Sequence, residues 1–227
     1  MASSFNAFGR NATEFGALHQ PVWLGTVKPV PVGGVLAEAY RVKRLLIPAG
    51  APVNFASGVI TPLVAFKVVS FTGATGSETN DKIVIRPCVL GGVEYLPKAE
   101  DLIQKIGATF AATGKAAAVV SVTALTGADA GKYEVAVAHA ATIDSVSAGD
   151  MITFSAAVSA GSGKSIKVQP NAYLYNDIAM GDLNEDLNAT GAVVKFHGEG
   201  LLIDLTPSAE VAAQMAAAVP GVLQVTV

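Results

Sequence analysis

The sequence predicts a mainly β protein with two short helices, an α+β chain built as a small β-sandwich or barrel-like domain with an inserted β-rich subdomain. Three observations predict this. Pro21, Pro29, Pro31, Pro48, Pro52 and Pro62 punctuate the first third of the chain, and each removes a backbone donor and clashes with a preceding helical turn. The apolar runs between turn signals are short, and several alternate with period two, as half-buried strands do. Only two segments carry an apolar stripe at helical spacing.

The 227 residues are 51% hydrophobic but only 7% aromatic and 15% charged. Globular chains average about 25% charged residues, so this surface is short of charge and rich in Ala, Val and Leu. Such a surface suits cover by neighbours. A net charge of −3 gives no basic footprint for nucleic acid. The single cysteine, Cys88, cannot close an intrachain disulfide, and in its strand-like run it is expected to be a buried, inert thiol. The N-terminus lacks the charged and apolar regions of a signal peptide. No run reaches the roughly 18 apolar residues of a membrane span.

Residues 1–20 read as a polar arm without its own core. Strands are expected at residues 22–27, 45–47 and 63–69. Residues 71–82 form a Gly/Thr/Ser/Asn loop, and residues 83–96 a hairpin turning at Gly91-Gly92, a pair that accepts positive φ. A first helix is expected from Pro97, with Leu102, Ile103 and Ile106 on one face and Gly107 as its stop. Further strands are expected at residues 119–125, 133–139, 151–154, 166–168, 173–175, 192–197 and 201–205. A second helix spans roughly residues 208–218, with Val211, Met215 and Val219 as its stripe. Val222 to Val227 then forms a terminal strand.

Gly161-Ser162-Gly163-Lys164-Ser165 has the ending of a phosphate-binding loop, whose amides and Lys cradle phosphate oxygens. The first Gly of that pattern falls on Val158, and the β-like Ile166-Lys167-Val168 with Pro170 replaces the helix that would complete the anion site. A hairpin loop is the expected structure, and a nucleotide-binding enzyme the reading it opposes. His19, His139 and His197 have no ligand-spaced partners. The acids Asp177, Asp182, Glu185 and Asp186 lack the order of a calcium loop. No metal or other cofactor is expected, and no catalytic residues.

Three segments carry a resemblance. Leu46-Ile47-Pro48-Ala49-Gly50-Ala51-Pro52-Val53 has a strand-Pro-x-Gly-x-Pro-Val form. Pro170-Asn171-Ala172-Tyr173-Leu174-Tyr175-Asn176-Asp177-Ile178 has an Asn-x-x-Leu-x-Asn-Asp-Val form. Ala192 to Gly200 is a strand ending in a glycine turn. Together with the helix after Pro207 and the Val-rich end, they resemble the head decoration and head-fibre proteins of tailed phages. The matches cover about a quarter of the chain, and residues 71–165 have no counterpart in them.

The resemblance implies a β-rich capsid-binding domain of residues 21–70 plus 166–227, interrupted by the insertion at 71–165. It implies a non-enzymatic virion protein on the outer capsid surface, commonly a homotrimer, with the major capsid protein as partner and neither nucleic acid nor membrane involved. Phe5, Phe8, Phe15 and Trp23, apolar aromatics in or beside a polar arm, are the candidate capsid or subunit contacts. The alternative is a carbohydrate-binding or adhesive β-domain facing a host-surface glycan, with Trp23, Tyr95, Tyr133, Tyr173 and Tyr175 as platform candidates.

Overall fold

The computed structural model describes residues 23–24, 30, 33–42, 45–90, 93–139, 143, 146–179, 190–194, 200–203, 209–219 and 222–225. Its centre is a closed six-stranded antiparallel barrel. The strands, in order around it, are β6 (Ala65–Thr72), β7 (Asn80–Arg86), β12 (Tyr133–Ala138), β11 (Gly114–Ala124), β10 (Leu102–Lys105) and β13 (Met151–Phe154), which returns to β6. Alternation explains the lining. In β7, Asp81, Ile83 and Ile85 are buried while Lys82 and Arg86 are exposed. The register places Ile83 beside Val135 and Ile85 beside Tyr133 on the same face. Small barrels are filled by their own side chains, and Phe66, which meets Phe154 edge-on at 5.4 Å, helps to fill this one together with Ile83, Ile85, Ile103 and Ile152.

The chain before and after the barrel meets in a second, curled sheet. It comprises β2 (Gly34–Leu36), β4 (Pro52–Ala56), β5 (Val59–Pro62), β15 (Ala172–Leu174), β17 (Thr190–Gly191) and β18 (Val193–Val194), in the order β17-β2-β5-β4-β15-β18. The pair β2–β5 is parallel, and a glycine makes this approach possible. A Cβ on Gly34 would lie 2.7 Å from both Ile60 Cγ1 and Phe55 Cε2. Next to this sheet β3 (Leu46–Ile47) pairs with β16 (Ile178–Ala179). One buried cluster runs from the barrel interior into the sheet through Leu36, Val53, Ile60, Leu174 and Val193.

A third sheet holds β1 (Trp23–Leu24), β19 (Gly200–Ile203) and β20 (Val222–Val225). β19 and β20 are parallel and joined through α1 (Ala209–Ala218), the crossover that parallel strands require. The expected stripe is the buried one. Val211, Met215 and Val219 are fully covered and pack with Ala65, Ile106, Met151, Tyr173 and Val194. The outer face of β6 and β13 thus supports both α1 and the second sheet.

Three sequence expectations need correction here. The first helix, expected from Pro97 to Ile106, is instead a turn followed by β10. The Asp101 carboxylate accepts the Lys98 N–H at 2.7 Å, and Glu100 adopts φ +74°, so the backbone leaves helical space before a turn can propagate. Leu102–Lys105 then pairs with β11 on one side and β13 on the other. Those tertiary pairings override the weak helical stripe. The loop expected at 71–82 is shorter, because β6 continues to Thr72 and β7 starts at Asn80. Ile166 forms a single bridge to Ser155 rather than a strand. The hairpin β8 (Cys88–Leu90) to β9 (Val93–Tyr95) pairs Leu90 with Val93, as expected for a two-residue turn.

Phe66→Ala removes a fully buried ring from the barrel interior. It is expected to lower unfolding free energy by about 3–5 kcal/mol in urea titrations. Val158→Ala, at a fully exposed position, is expected to change it by less than about 0.5 kcal/mol.

Candidate interaction surface

The residues with special chemistry fall mostly into structural roles. Gly161–Lys164 is strand β14, paired antiparallel to the start of β11 with Gly114 opposite Lys164. The pairing is bulged, with Gly163 at φ +68°, and among the described residues no helix follows it to complete the anion site of a phosphate-binding loop. His139 Nδ1 lies 2.7 Å from Asp81 Oδ1, and the same oxygen accepts the Ala74 N–H at 2.8 Å. This buried carboxylate ties the 73–79 loop to the end of β12. Of the acidic stretch, Asp177 is described. Its Oδ1 accepts the Ala49 N–H at 2.8 Å, clamping the turn between β3 and β4. Among the described residues no group of three or more His, Cys, Asp and Glu side chains converges as a metal site would require. No described helix is long and apolar enough to cross a membrane.

Phe5, Phe8, Phe15, His19, His197, Asp182, Glu185 and Asp186 lie outside the described residues, as does the whole 1–20 arm. Trp23 is placed in β1, opposite Leu202 of β19. The tyrosines proposed as a sugar platform are dispersed. Tyr173 is fully buried against α1, so its ring offers no face to a glycan. Tyr175 is partly buried beside the same cluster. Tyr95 packs against Tyr40 with ring centroids 5.8 Å apart. The Tyr133 hydroxyl donates to Glu94 Oε2 at 3.1 Å, and that bond to a carboxylate holds its pKa above the ordinary phenol value.

Cys88 is half-buried near Tyr40 and Tyr95. Burial pushes its thiol up, partly offset by a hydrogen bond with the backbone of Ala65. Burial likewise pushes Tyr40 up to about 12, with further increments from Tyr95 and Cys88, and raises Tyr95. These groups favour the neutral form, and the thiolate rather than the thiol is the nucleophile.

Two concavities were not legible in the sequence. A groove of about 840 Å³ runs between Ala213, Gln214 and Ala217 of α1, the Gly107–Ala111 turn after β10, and Gln169–Asn171. The Gln214 amide donates to the Gly107 carbonyl across its floor, and Asn54 donates to the Gln169 carbonyl at 2.7 Å on its far wall. Lys105 at its end is held by Asp150 at 2.7 Å. A second, smaller pocket of about 320 Å³ opens where β6 and β7 leave the barrel beside the β8 segment.

The three segments that carry the phage-head resemblance interlock, although more than 100 residues separate the first from the second. Val53 pairs with Ala172 and Pro52 with Tyr173. Gly50 N–H donates to the Leu174 carbonyl at 2.7 Å, and Leu174 N–H to that of Ala51 at 3.0 Å. Ile47 pairs with Ile178. The third segment completes the set through Tyr173–Val194 and Leu174–Val193. No family model, curated protein or solved structure matches the chain.

Titration of the Tyr40, Tyr95 and Cys88 group has a predictable sign. Their pKa values are raised in the folded chain, so the stability they contribute is whole below the unfolded thiol and phenol values. It is lost as pH climbs through the folded values, reaching about 12 for Tyr40. Urea midpoints are expected to fall from about pH 8.5 upward. Tyr40→Phe and Cys88→Ala should each flatten that fall when midpoints are followed by circular dichroism.

Proposed function

We propose that the chain is a virion structural protein that decorates, or forms fibres on, the outer capsid surface of a tailed phage and stabilises the shell through many-copy contacts. The observation that carries this reading is the interlock of Leu46–Val53, Asn171–Ile178 and the strand at Val193–Val194. Short sequence matches scattered by chance have no reason to meet. These three form one contiguous patch, sewn together by main-chain bonds and by Asp177.

The composition supports the same reading. With 15% charged residues, the chain exposes surface that is cheap to desolvate, and Ala-lined concavities accept close backbone approach. An interface of about 800 Å² per partner is ordinary in size. Repetition across a shell, or a trimer bridging several subunits of the major capsid protein, multiplies modest contacts through high effective concentration. Phe5, Phe8, Phe15 and Trp23 are the aromatic anchors proposed for such contacts, because buried aromatics dominate interface energetics.

Mass spectrometry of purified intact virions is expected to find the chain in many copies, and light scattering to give three times 23.0 kDa for the assembled species. Joint replacement Phe5→Ser, Phe8→Ser and Phe15→Ser is expected to reduce particle occupancy while the circular dichroism spectrum is unchanged. A monodisperse monomer absent from particles overturns the proposal.

A further inference from the structure

We propose that the 320 Å³ pocket beside β7 and β8 is a binding site for a small apolar molecule carrying one anionic group. The walls are apolar and stiff. Pro48, Pro52, Pro62 and Pro87 contribute to the lining, together with the buried Leu63 and Met151. Proline rings have little conformational freedom to lose, so such a cavity stays open at little entropic cost and binds as a preformed site. Its volume lies at the lower end of the roughly 300–1,000 Å³ range of small-molecule sites.

The anionic requirement comes from the rim. Lys67 on β6 and Arg86 on β7 both line the pocket and stand directly opposite each other in the β6–β7 register. Both are exposed. Like charges at directly opposed positions repel, and among the described residues neither side chain has an ion pair or hydrogen bond. On the other side of Lys67 the register places buried Met151. The sequence Met151, Lys67, Arg86 across three adjacent strands therefore grades from apolar floor to doubly cationic lip. A carboxylate or sulfonate between the two cations would relieve their repulsion. Arg can bind it in a two-pronged geometry, while the aliphatic stems of both residues extend the apolar wall. A solvated cation pair over a dimple would not need four rigid proline walls beneath it. This site is independent of any capsid role.

The chain itself supplies the reporter, because Cys88 lines the same pocket and is the single cysteine. The probe is 1-anilinonaphthalene-8-sulfonate, compared with its uncharged relative N-phenyl-1-naphthylamine, on the full chain. The sulfonate is expected to bind at one saturable site and to slow the reaction of Cys88 with dithiodipyridine. The double variant Lys67→Gln, Arg86→Gln is expected to weaken it by about tenfold or more, the scale of a lost charge-assisted contact. The pair Lys67→Arg, Arg86→Lys, which keeps both charges, should restore most of the affinity, and binding of the neutral probe should change little in either variant. Absence of sulfonate binding overturns the proposal. So does affinity indifferent to the Gln substitutions, or binding that leaves Cys88 unprotected.

Discussion

The fold depends on β10 finding a strand on each side. Leu102–Lys105 is only four residues long, yet it pairs with β11 and with β13 and so removes the two edges that an open β13-β6-β7-β12-β11 sheet would expose. Unpaired edges leave rows of donors and acceptors unsatisfied and invite pairing with other chains. Closure also encloses Phe66, Ile83, Ile85, Ile103 and Ile152 in one interior. Once the cylinder is shut, its outer wall at Ala65 and Met151 becomes a fixed platform on which α1 and Tyr173 pack. The helix, the second sheet and both concavities take their positions from that wall.

The same closure explains what the sequence could reveal. Local signals were legible. Tyr133–Ala138 alternates, Gly91-Gly92 separates two apolar runs, and Val211, Met215 and Val219 repeat at four-residue spacing, so a strand, a hairpin and the final helix follow from neighbours in sequence. Residues 97–106 did not yield to this reading, since Leu102, Ile103 and Ile106 satisfy a helical stripe as well as a strand pattern. The choice was made by Asp101 capturing the Lys98 amide and by partners at residues 116–118 and 152–154. Gly161–Lys164 was drawn to a hairpin loop by its glycines and took up a strand because β11 offered an edge at Gly114–Ala116.

Site information was less legible, for a related reason. Lys67 and Arg86 look like ordinary outward positions of two strands. Their direct opposition depends on an irregularity in register between Val68 and Ser70, which no local pattern announces. The prolines that define the small pocket come from three separate segments, Pro48 and Pro52 from one and Pro62 and Pro87 from the others. In sequence they signal broken helices, and only the fold turns them into a wall. By contrast, Asp177 could be suspected of a role from its place in the Asn-Asp pair, although its partner, the Ala49 amide, lies 128 residues away.

Barrel and second sheet are stiffened in different ways. The barrel, with every strand paired on both sides along part of its length, is the rigid element. The second sheet carries shorter strands, several only two or three residues long, and is stiffened instead by its crossing segments. The Leu46–Val53 turn is held by Leu174 from one direction and by Asp177 from the other, so a load applied to either segment is passed to the other through main-chain bonds before it reaches the hydrophobic core. Short strands alone would fray. Short strands cross-tied to one another in this way, with β5 running on into β6 of the closed barrel, hold a fixed geometry that none of them would keep alone.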